Sequence, residues 1–242
     1  MDTAQLGERL VDWIRDKVVE ARCRGTVLGL SGGVDSAVVA VLCKRAFPES
    51  TLAVMMPCHS VPQDEEHSRL VVDKFSIPTR LVVLDNVYDA LSELLPDEKK
   101  SPEAMHLARS NLKVRLRMII LYYLANQLQY LVVGSSNRSE LTVGYFTKYG
   151  DGGIDIAPLG NLVKAQVRDM AMSLDIPREI IDKPPSAGLW PGQTDEAELG
   201  LSYEEIDRYL LTGEASVKVR EKIETKMATG HHKRQPPMLP DF

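Results

Sequence analysis

The feature that most restricts the fold of this chain is the alternation of short apolar runs with longer segments of helical period. Thr26 to Leu30 reads as a buried strand, and the glycine-rich turn Ser31, Gly32, Gly33 leads from it into an apolar helix from about Ser36 to Arg45. The unit then recurs. Leu52 to Met56 reads as a strand and Pro62 to Phe75 as a helix; Leu81 to Leu84 reads as a strand, with a helix from about Val87. A long helix from about Pro102 to Gln129 and a strand from Tyr130 to Val133 follow, then a helix from about Leu162 to Leu174. In front of all this, Leu6, Leu10, Ile14 and Val18 recur every four residues, which predicts an amphipathic helix over about residues 3 to 22. Strands this short and this apolar, separated by helices, predict an α/β protein with a doubly wound parallel sheet, Rossmann-like, with helices on both faces. Ligands of such sheets bind beyond the C-terminal ends of the strands.

With 242 residues, 44% hydrophobic and 26% charged, the chain can bury the core of one domain spanning 1–242. The longest apolar stretches, such as Met118 to Ala125, fall well short of the roughly 18 residues that a membrane helix requires, and the N-terminus lacks a secretory pattern. The expectation is a soluble, cytoplasmic protein with no membrane contact. A formal net charge of −5 argues against a nucleic-acid surface, leaving a small anion as the expected partner. Cys23, Cys43 and Cys58 are odd in number and widely spaced, which suits buried reduced thiols and neither a disulfide framework nor a zinc site.

The chemistry concentrates in two places. Ser31, Gly32, Gly33, Val34, Asp35 and Ser36 sit where a strand meets a helix, so backbone N–H groups and two hydroxyls can surround an anion at the positive end of that helix. Asp35 in the same turn would repel phosphate unless a divalent cation lay between them, which makes it the first candidate Mg²⁺ ligand. The plain alternative is a tight turn with Asp35 complementing the helix dipole. From Gly134 to Asn161 the sequence turns rich in Gly, Ser, Thr and Asp with no clean period, which predicts a long functional loop with Tyr145, Phe146 and Tyr149 interleaved. Beyond it, Ser202 and Glu205 have capping-box spacing, and a basic stretch runs from His231 to Arg234. Neither a Walker-type phosphate loop nor a Gly-x-Gly-x-x-Gly turn occurs, so P-loop kinases and dehydrogenases are disfavoured.

Ser31 to Ser36 resembles the signature loop of the ATP pyrophosphatases that release AMP and pyrophosphate. The stretches from Gly144 through Lys148 and Asp151 to Asp155, from Gly188 to Glu196, and from His232 through Lys233 to Gln235 are similar to those of the NAD synthetase family. The similarity runs in order from about residue 25 to 235. It implies a ligase in which the nicotinate carboxylate of deamido-NAD⁺ attacks the α-phosphate of ATP and ammonia displaces AMP to give NAD⁺. It also implies Mg²⁺, a homodimer, and a flexible substrate-covering element at about 186–242.

Carried over residue by residue, the resemblance gives Gly29, Leu30 and Ser31 to Ser36 to the ATP phosphates, and Asp35 with Glu140 to Mg²⁺. Ser135, Lys164 and Ser186 fall on ATP-side positions; the two serines stand where the family usually has threonine, keeping the hydroxyl. Lys164 would neutralise charge as pyrophosphate leaves; its alternative is an exposed lysine opening a helix. Arg115, Lys148, Asp155, His232 and Lys233 match deamido-NAD⁺ positions, with Asn111 and Arg115 four apart on one face of the long helix. Asp151 would orient ammonia or accept its proton. A surface ion pair remains the rival role for Arg115. Two other functions stay open: a related AMP-forming enzyme with another acceptor, and a nucleotide-binding module without turnover.

Overall fold

Four short strands pair in parallel into a single sheet in the computed structural model, which describes residues 2–96, 101–190 and 192–240. In chain order the elements are α1 (Thr3–Glu20), β1 (Gly25–Gly29), α2 (Val34–Ala46), β2 (Thr51–Met55), α3 (Pro62–Phe75), β3 (Thr79–Leu81), α4 (Asp85–Leu94), α5 (Pro102–Leu128), β4 (Tyr130–Val132), α6 (Arg138–Val143), α7 (Lys164–Ser173), α8 (Arg178–Ile181), α9 (Asp195–Leu199), α10 (Tyr203–Thr212) and α11 (Val217–Thr229), with a 3₁₀ turn at His231–Lys233. The strand order is β3-β2-β1-β4. The chain therefore winds outward from β1 through β2 to β3, then returns to place β4 on the other side of β1. That reversal opens a crevice above β1 and β4, the standard ligand position in a doubly wound sheet.

Both faces of the sheet are covered, and alternate residues of each strand go to opposite cores. Leu28, Ala53, Met55, Leu131 and Val133 pack with α1, α2, α7 and α8, whereas Val27, Leu52, Val54 and Val132 pack with α4 and α5. A strand buried on both faces has no polar side to show, which is why these runs are continuously apolar. α2 is buried around nearly its whole circumference, matching its lack of amphipathic period. The apolar stripe of α1 belongs to the first core: Val11, Ile14 and Val18 are buried there, with Leu6 and Leu10 packed against it. That face is thus covered within the chain. All three cysteines are free, with Cys43 and Cys58 buried.

Two expectations need correction. The third strand lies at Thr79–Leu81 and not at Leu81 to Leu84, because Ala53–Met55 pairs with Thr79–Leu81. Beyond the strand, Val82 and Leu84 still donate to the carbonyls of Met55 and Pro57. Between Gly134 and Asn161 the chain is not all loop: α6 lies near its start, capped by Asn137, whose side chain accepts from Glu140 N–H while Glu140 receives the Asn137 N–H. Such a reciprocal cap satisfies two orphan donors at once and stabilises a helix of only six residues. The rest of the segment is fastened to the sheet by a parallel bridge between Val133 and Ile156.

The C-terminal elements form their own small cluster, in which Leu199, Leu201, Ile206 and Ile223 bury Val143 of α6. Among the described residues no helix is long and apolar enough to cross a membrane.

Candidate active site

Above the C-terminal ends of β1, β2 and β4 lies a cavity of about 430 Å³. Its lining includes Gly29, Leu30, Ser31, Gly33, Val34, Asp35, Ser36, Ser135, Glu140, Asp151, Lys164 and Ser186, so most residues assigned to ATP and metal from the sequence share one chamber. Gly32 supports the wall from behind. It adopts φ +76°, and a Cβ on it would lie 2.3 Å from the Asp64 carbonyl, so only glycine fits. Ser36 accepts from the Ser31 N–H at 3.2 Å and donates to the Gly33 carbonyl at 2.9 Å, fixing the turn from within. α2 starts at Val34, two residues earlier than its apolar period suggested, with Gly33 as N-cap and no side-chain cap. Its first N–H groups are thus left facing the cavity, as an anion site requires.

Asp35, Glu140 and Lys164 meet at the floor. Lys164 is 3% exposed, and its ammonium donates to Asp35 Oδ2 at 2.5 Å and Glu140 Oε1 at 3.2 Å. The exposed-lysine alternative is excluded. Asn137 donates to the other Asp35 oxygen at 2.8 Å, so the residue that caps α6 also orients the carboxylate across the crevice. Topology makes this meeting possible: Asp35 follows β1, Glu140 follows β4, and Lys164 opens α7 beneath them. Burial pushes the Glu140 carboxyl up to about 7, against the pull of Lys164. Burial alone would lower the Lys164 ammonium, but Asp35 and Glu140 hold it above its ordinary value. One lysine does not balance the crowded carboxylates, so the cluster has room for further positive charge.

The cluster continues inward through Tyr203 and Asp195, to which the sequence reading gave no role, and through Tyr145 of the expected functional loop. The Tyr203 hydroxyl, 4% exposed as a residue, lies 2.9 Å from Asp195 and 3.2 Å from Glu140, and its ring sits under the Lys164 ammonium at 4.8 Å. Tyr145 reaches Asp195 at 3.0 Å and Glu198 at 2.7 Å. Burial raises the Asp195 carboxyl and, foremost among several causes, both phenols. The Asn137-x-x-Glu140 spacing was a legible cap signal. Tyr203 and Asp195 gave none, because what brings their pair to the floor is contact with Glu140 and Tyr145 from far earlier in the chain.

The residues matched to deamido-NAD⁺ stand elsewhere. None of Arg115, Lys148, Asp155, His232 and Lys233 lines the cavity. Arg115 donates to the Lys148 carbonyl at 3.3 Å, and Asn111 accepts from the Thr147 hydroxyl at 2.7 Å, so the two do share a face of α5. Lys148 donates to the His232 carbonyl at 2.7 Å, and Lys233 donates to the carbonyls of Gly144 and Phe146, both at 2.9 Å. Arg234 takes the carbonyls of Leu141 and Thr142 at the end of α6. Asp155 accepts from the Tyr122 hydroxyl at 3.0 Å and the Val132 N–H at 2.8 Å. Asp151 does open onto the cavity. Its Oδ1 accepts from the Thr147 N–H at 2.7 Å, and desolvation raises its carboxyl above the usual range. Pro191, inside the motif from Gly188 to Glu196, lies outside the described residues.

A doubly wound sheet with a phosphate-type loop after β1 and a carboxylate–lysine floor defines an enzyme of the nucleotide-binding α/β class. The chain belongs to the NAD synthase family, whose model matches residues 6–237. It is 50% identical to the NH₃-dependent NAD⁺ synthetase of Carboxydothermus hydrogenoformans and 51% identical to that of Syntrophomonas wolfei, covering 96% and 92% of those proteins and 96% and 94% of this chain. Among solved structures it superposes on the NMN synthetase of Francisella tularensis with a TM-score of 0.95 at 37% identity, covering 100% of both chains. On the NH₃-dependent NAD synthetase of Campylobacter jejuni the TM-score is 0.81 at 29% identity, again over 100% of both.

Proposed function

We propose that this chain is an ammonia-dependent ligase that forms a C–N bond in NAD biosynthesis. It transfers AMP from ATP to the nicotinate carboxylate of deamido-NAD⁺, releases pyrophosphate, and lets ammonia displace AMP to give NAD⁺. The observation that carries this reading is the convergence of Asp35, Glu140 and Lys164 on one point beside the Ser31–Ser36 loop. Pure nucleotide binding needs no second carboxylate there. The loop amides bind the phosphates, and Lys164 stands ready to compensate the charge that builds on departing pyrophosphate. Asp151, at the cavity wall with a raised carboxyl, takes a proton from the attacking nitrogen.

The floor suits Mg²⁺. Two hard oxygen donors, Asp35 and Glu140, face a common point and carry more negative charge than Lys164 offsets, and Mg²⁺ is ordinarily held by one or two carboxylates together with substrate phosphates. When bound it supplies charge neutralisation for the phosphates. Lys164 bridges both carboxylates and keeps them in place.

The segment from about 186 to 242 acts as the substrate-covering element. Ser186, Gly188, Leu189 and Asp195 line the cavity, and Lys113 of α5 holds the Leu189 carbonyl at 3.0 Å. The enzyme works as a cytoplasmic homodimer whose interface uses the outer face of α5, where Ile119 and Tyr123 are 55% and 60% exposed.

A second reading changes only the acceptor, from the nicotinate dinucleotide to its mononucleotide. The likeness to a protein named NMN synthetase favours it, as does the exclusion of all five dinucleotide-matched residues from the cavity. One experiment tests both readings. The purified chain is given ATP, Mg²⁺ and ammonium with deamido-NAD⁺ or nicotinate mononucleotide, and AMP, pyrophosphate and amide are measured. AMP formation that needs a nicotinate nucleotide supports the ligase, the larger kcat/KM names the acceptor, and AMP formation with neither overturns both. The nitrogen donor is tested in the same assay. Only unprotonated ammonia has a lone pair for attack, so at fixed total ammonium the apparent affinity should improve as pH rises through neutrality; equal rates with glutamine would refute ammonia as the donor.

A further inference from the structure

The cavity that receives anions is lined by more carboxylates than cations. Its cationic side chains are Lys164, Lys183 and Arg117. Lys164 is committed to Asp35 and Glu140, and Lys183 to Asp64. Arg117 differs from both. Among the described residues it has no carboxylate within ion-pair distance; its Nε donates to the Met56 carbonyl at 3.1 Å and one terminal nitrogen donates to the Ser60 hydroxyl at 3.3 Å. Both acceptors are neutral and belong to the segment after β2, so the guanidinium is fixed in direction, while Asp151 and Asp64 act on it only from beyond ion-pair distance. Desolvation lowers its pKa, and the pull of the more distant Asp151 and Asp64 does not offset it. A guanidinium remains protonated under such conditions and presents a rigid fork of donors matched to oxyanions.

Its place in the fold says which anion it meets. Arg117 extends from α5, which packs against β1 and β4, to the segment after β2, whereas Lys164 meets Asp35 after β1 and Glu140 after β4. Around Arg117 the wall is apolar, with Val114, Met118, Leu121 and Met56. An apolar wall suits a planar ring, and a cation at its edge suits the acidic group that such a ring carries.

Resting on the ligase reading above, we propose that Arg117 binds the oxyanion at the reacting centre. Two oxyanions meet there, the α-phosphate of ATP and the carboxylate that attacks it. Arg117 is a substrate-binding residue under either identity, and binding measurements tell them apart.

The test uses the full-length chain and Arg117→Met, which keeps length and apolar packing, with Arg117→Lys to retain charge without the fork. Ser60→Ala serves as a control that removes only a support of the guanidinium. Titration calorimetry with an ATP analogue unreactive between its α- and β-phosphates, and separately with deamido-NAD⁺ and nicotinate mononucleotide, reads each ligand without turnover. Arg117→Met should lose roughly 10- to 100-fold in affinity for one ligand class, the scale of a lost charge-assisted bond. Arg117→Lys should recover part of it, and Ser60→Ala should lose less than about 3-fold. Loss confined to the ATP analogue identifies the α-phosphate, and loss confined to the nicotinate nucleotide identifies the carboxylate. Unchanged affinities for all ligands in a folded Arg117→Met, or equal losses in Arg117→Met and Ser60→Ala, overturn the proposal and leave the ligase reading standing. Should the Met variant not fold, Arg117→Gln keeps a donor for the Met56 carbonyl and is titrated in its place. A wild-type chain that forms no AMP with either nicotinate nucleotide overturns the ligase reading, and the ATP titration still decides for Arg117.

Discussion

The floor of the cavity and its outer rim are held in place by different forces. On the floor, Asp35, Glu140 and Lys164 are fixed by one another, by Asn137 and by Tyr203, all through side chains drawn from distant parts of the chain. On the rim, Lys148 and Lys233 rest on backbone carbonyls, as does Arg115. A charge in a buried ion cluster cannot leave without stranding its partners, whereas a lysine on a carbonyl near solvent can exchange that acceptor for a phosphate or hydroxyl at little cost. The floor is therefore built to keep one geometry through a reaction, and the rim to exchange intramolecular bonds for ligand bonds.

If that contrast is right, the largest effect belongs to the floor. Asp35→Ala should abolish AMP formation, a loss of at least about 10²- to 10³-fold, the scale seen when one electrostatic contact to a transition state is removed. Lys164 would keep Glu140 as a partner, so the variant should remain folded by circular dichroism. Near-wild-type AMP production would show that the floor does not hold the phosphates.

A smaller effect is expected at Tyr203→Phe, which keeps the ring beneath the Lys164 ammonium and removes only the hydroxyl between Asp195 and Glu140. The expected result is a kcat lower by about tenfold with the KM for ATP altered by less than about threefold, since a hydrogen bond to a charged group is worth about 1.5–3 kcal/mol. A change in KM alone would move Tyr203 from positioning the floor to binding substrate.

On the rim, Lys148→Ala should raise the KM for the nicotinate nucleotide by roughly tenfold or less and leave that for ATP in place, because the ammonium gives up a neutral carbonyl to reach its ligand. Asp155→Ala should do the same and also lower stability by about 1–3 kcal/mol, since the Val132 N–H loses its acceptor. Asp155 thus belongs partly to each region. Equal losses of affinity for ATP and the nucleotide in both variants would erase the distinction between floor and rim.

How much of this was visible beforehand follows the same division. The parallel sheet was legible because burial on both faces leaves continuous apolar runs such as Leu52–Met56. The phosphate loop was legible because its glycines and hydroxyls are adjacent in sequence. β3 was misplaced by its register, since an edge strand of three residues takes its position from the partner strand and not from its own apolar content. α6 was overlooked because six residues are too few to show a helical period. Tyr203 and Arg117 carry no local signal, and Asp195 shows only as one member of the stretch from Gly188 to Glu196, with nothing to assign it a role. Their roles arise from contacts across the fold, which neither spacing nor composition encodes.

The smallest predicted effect concerns Asp151, which lies between the two regions, and it separates stability from turnover. Its carboxyl opens onto the cavity, yet desolvation holds its pKa above the unfolded value of about 3.9. A raised folded pKa means that the folded state binds this proton more tightly than the unfolded chain does. The corresponding stability is fully present below the unfolded pKa and is lost as pH rises through the folded one. At neutral pH the ionised carboxylate is a burden on the fold. Asp151→Asn removes that burden and keeps an oxygen to accept the Thr147 N–H. The variant should therefore melt slightly higher than the wild type at pH 7.5, with the gap closing as pH falls toward 4, because solvent reaching the cavity moderates the effect. Its turnover with ammonium should fall in the same samples, because the amide cannot take the ammonium proton. A gap in melting temperature that stays constant with pH would mean that the charge is not the source of the difference, and full activity in the variant would remove Asp151 from the reaction.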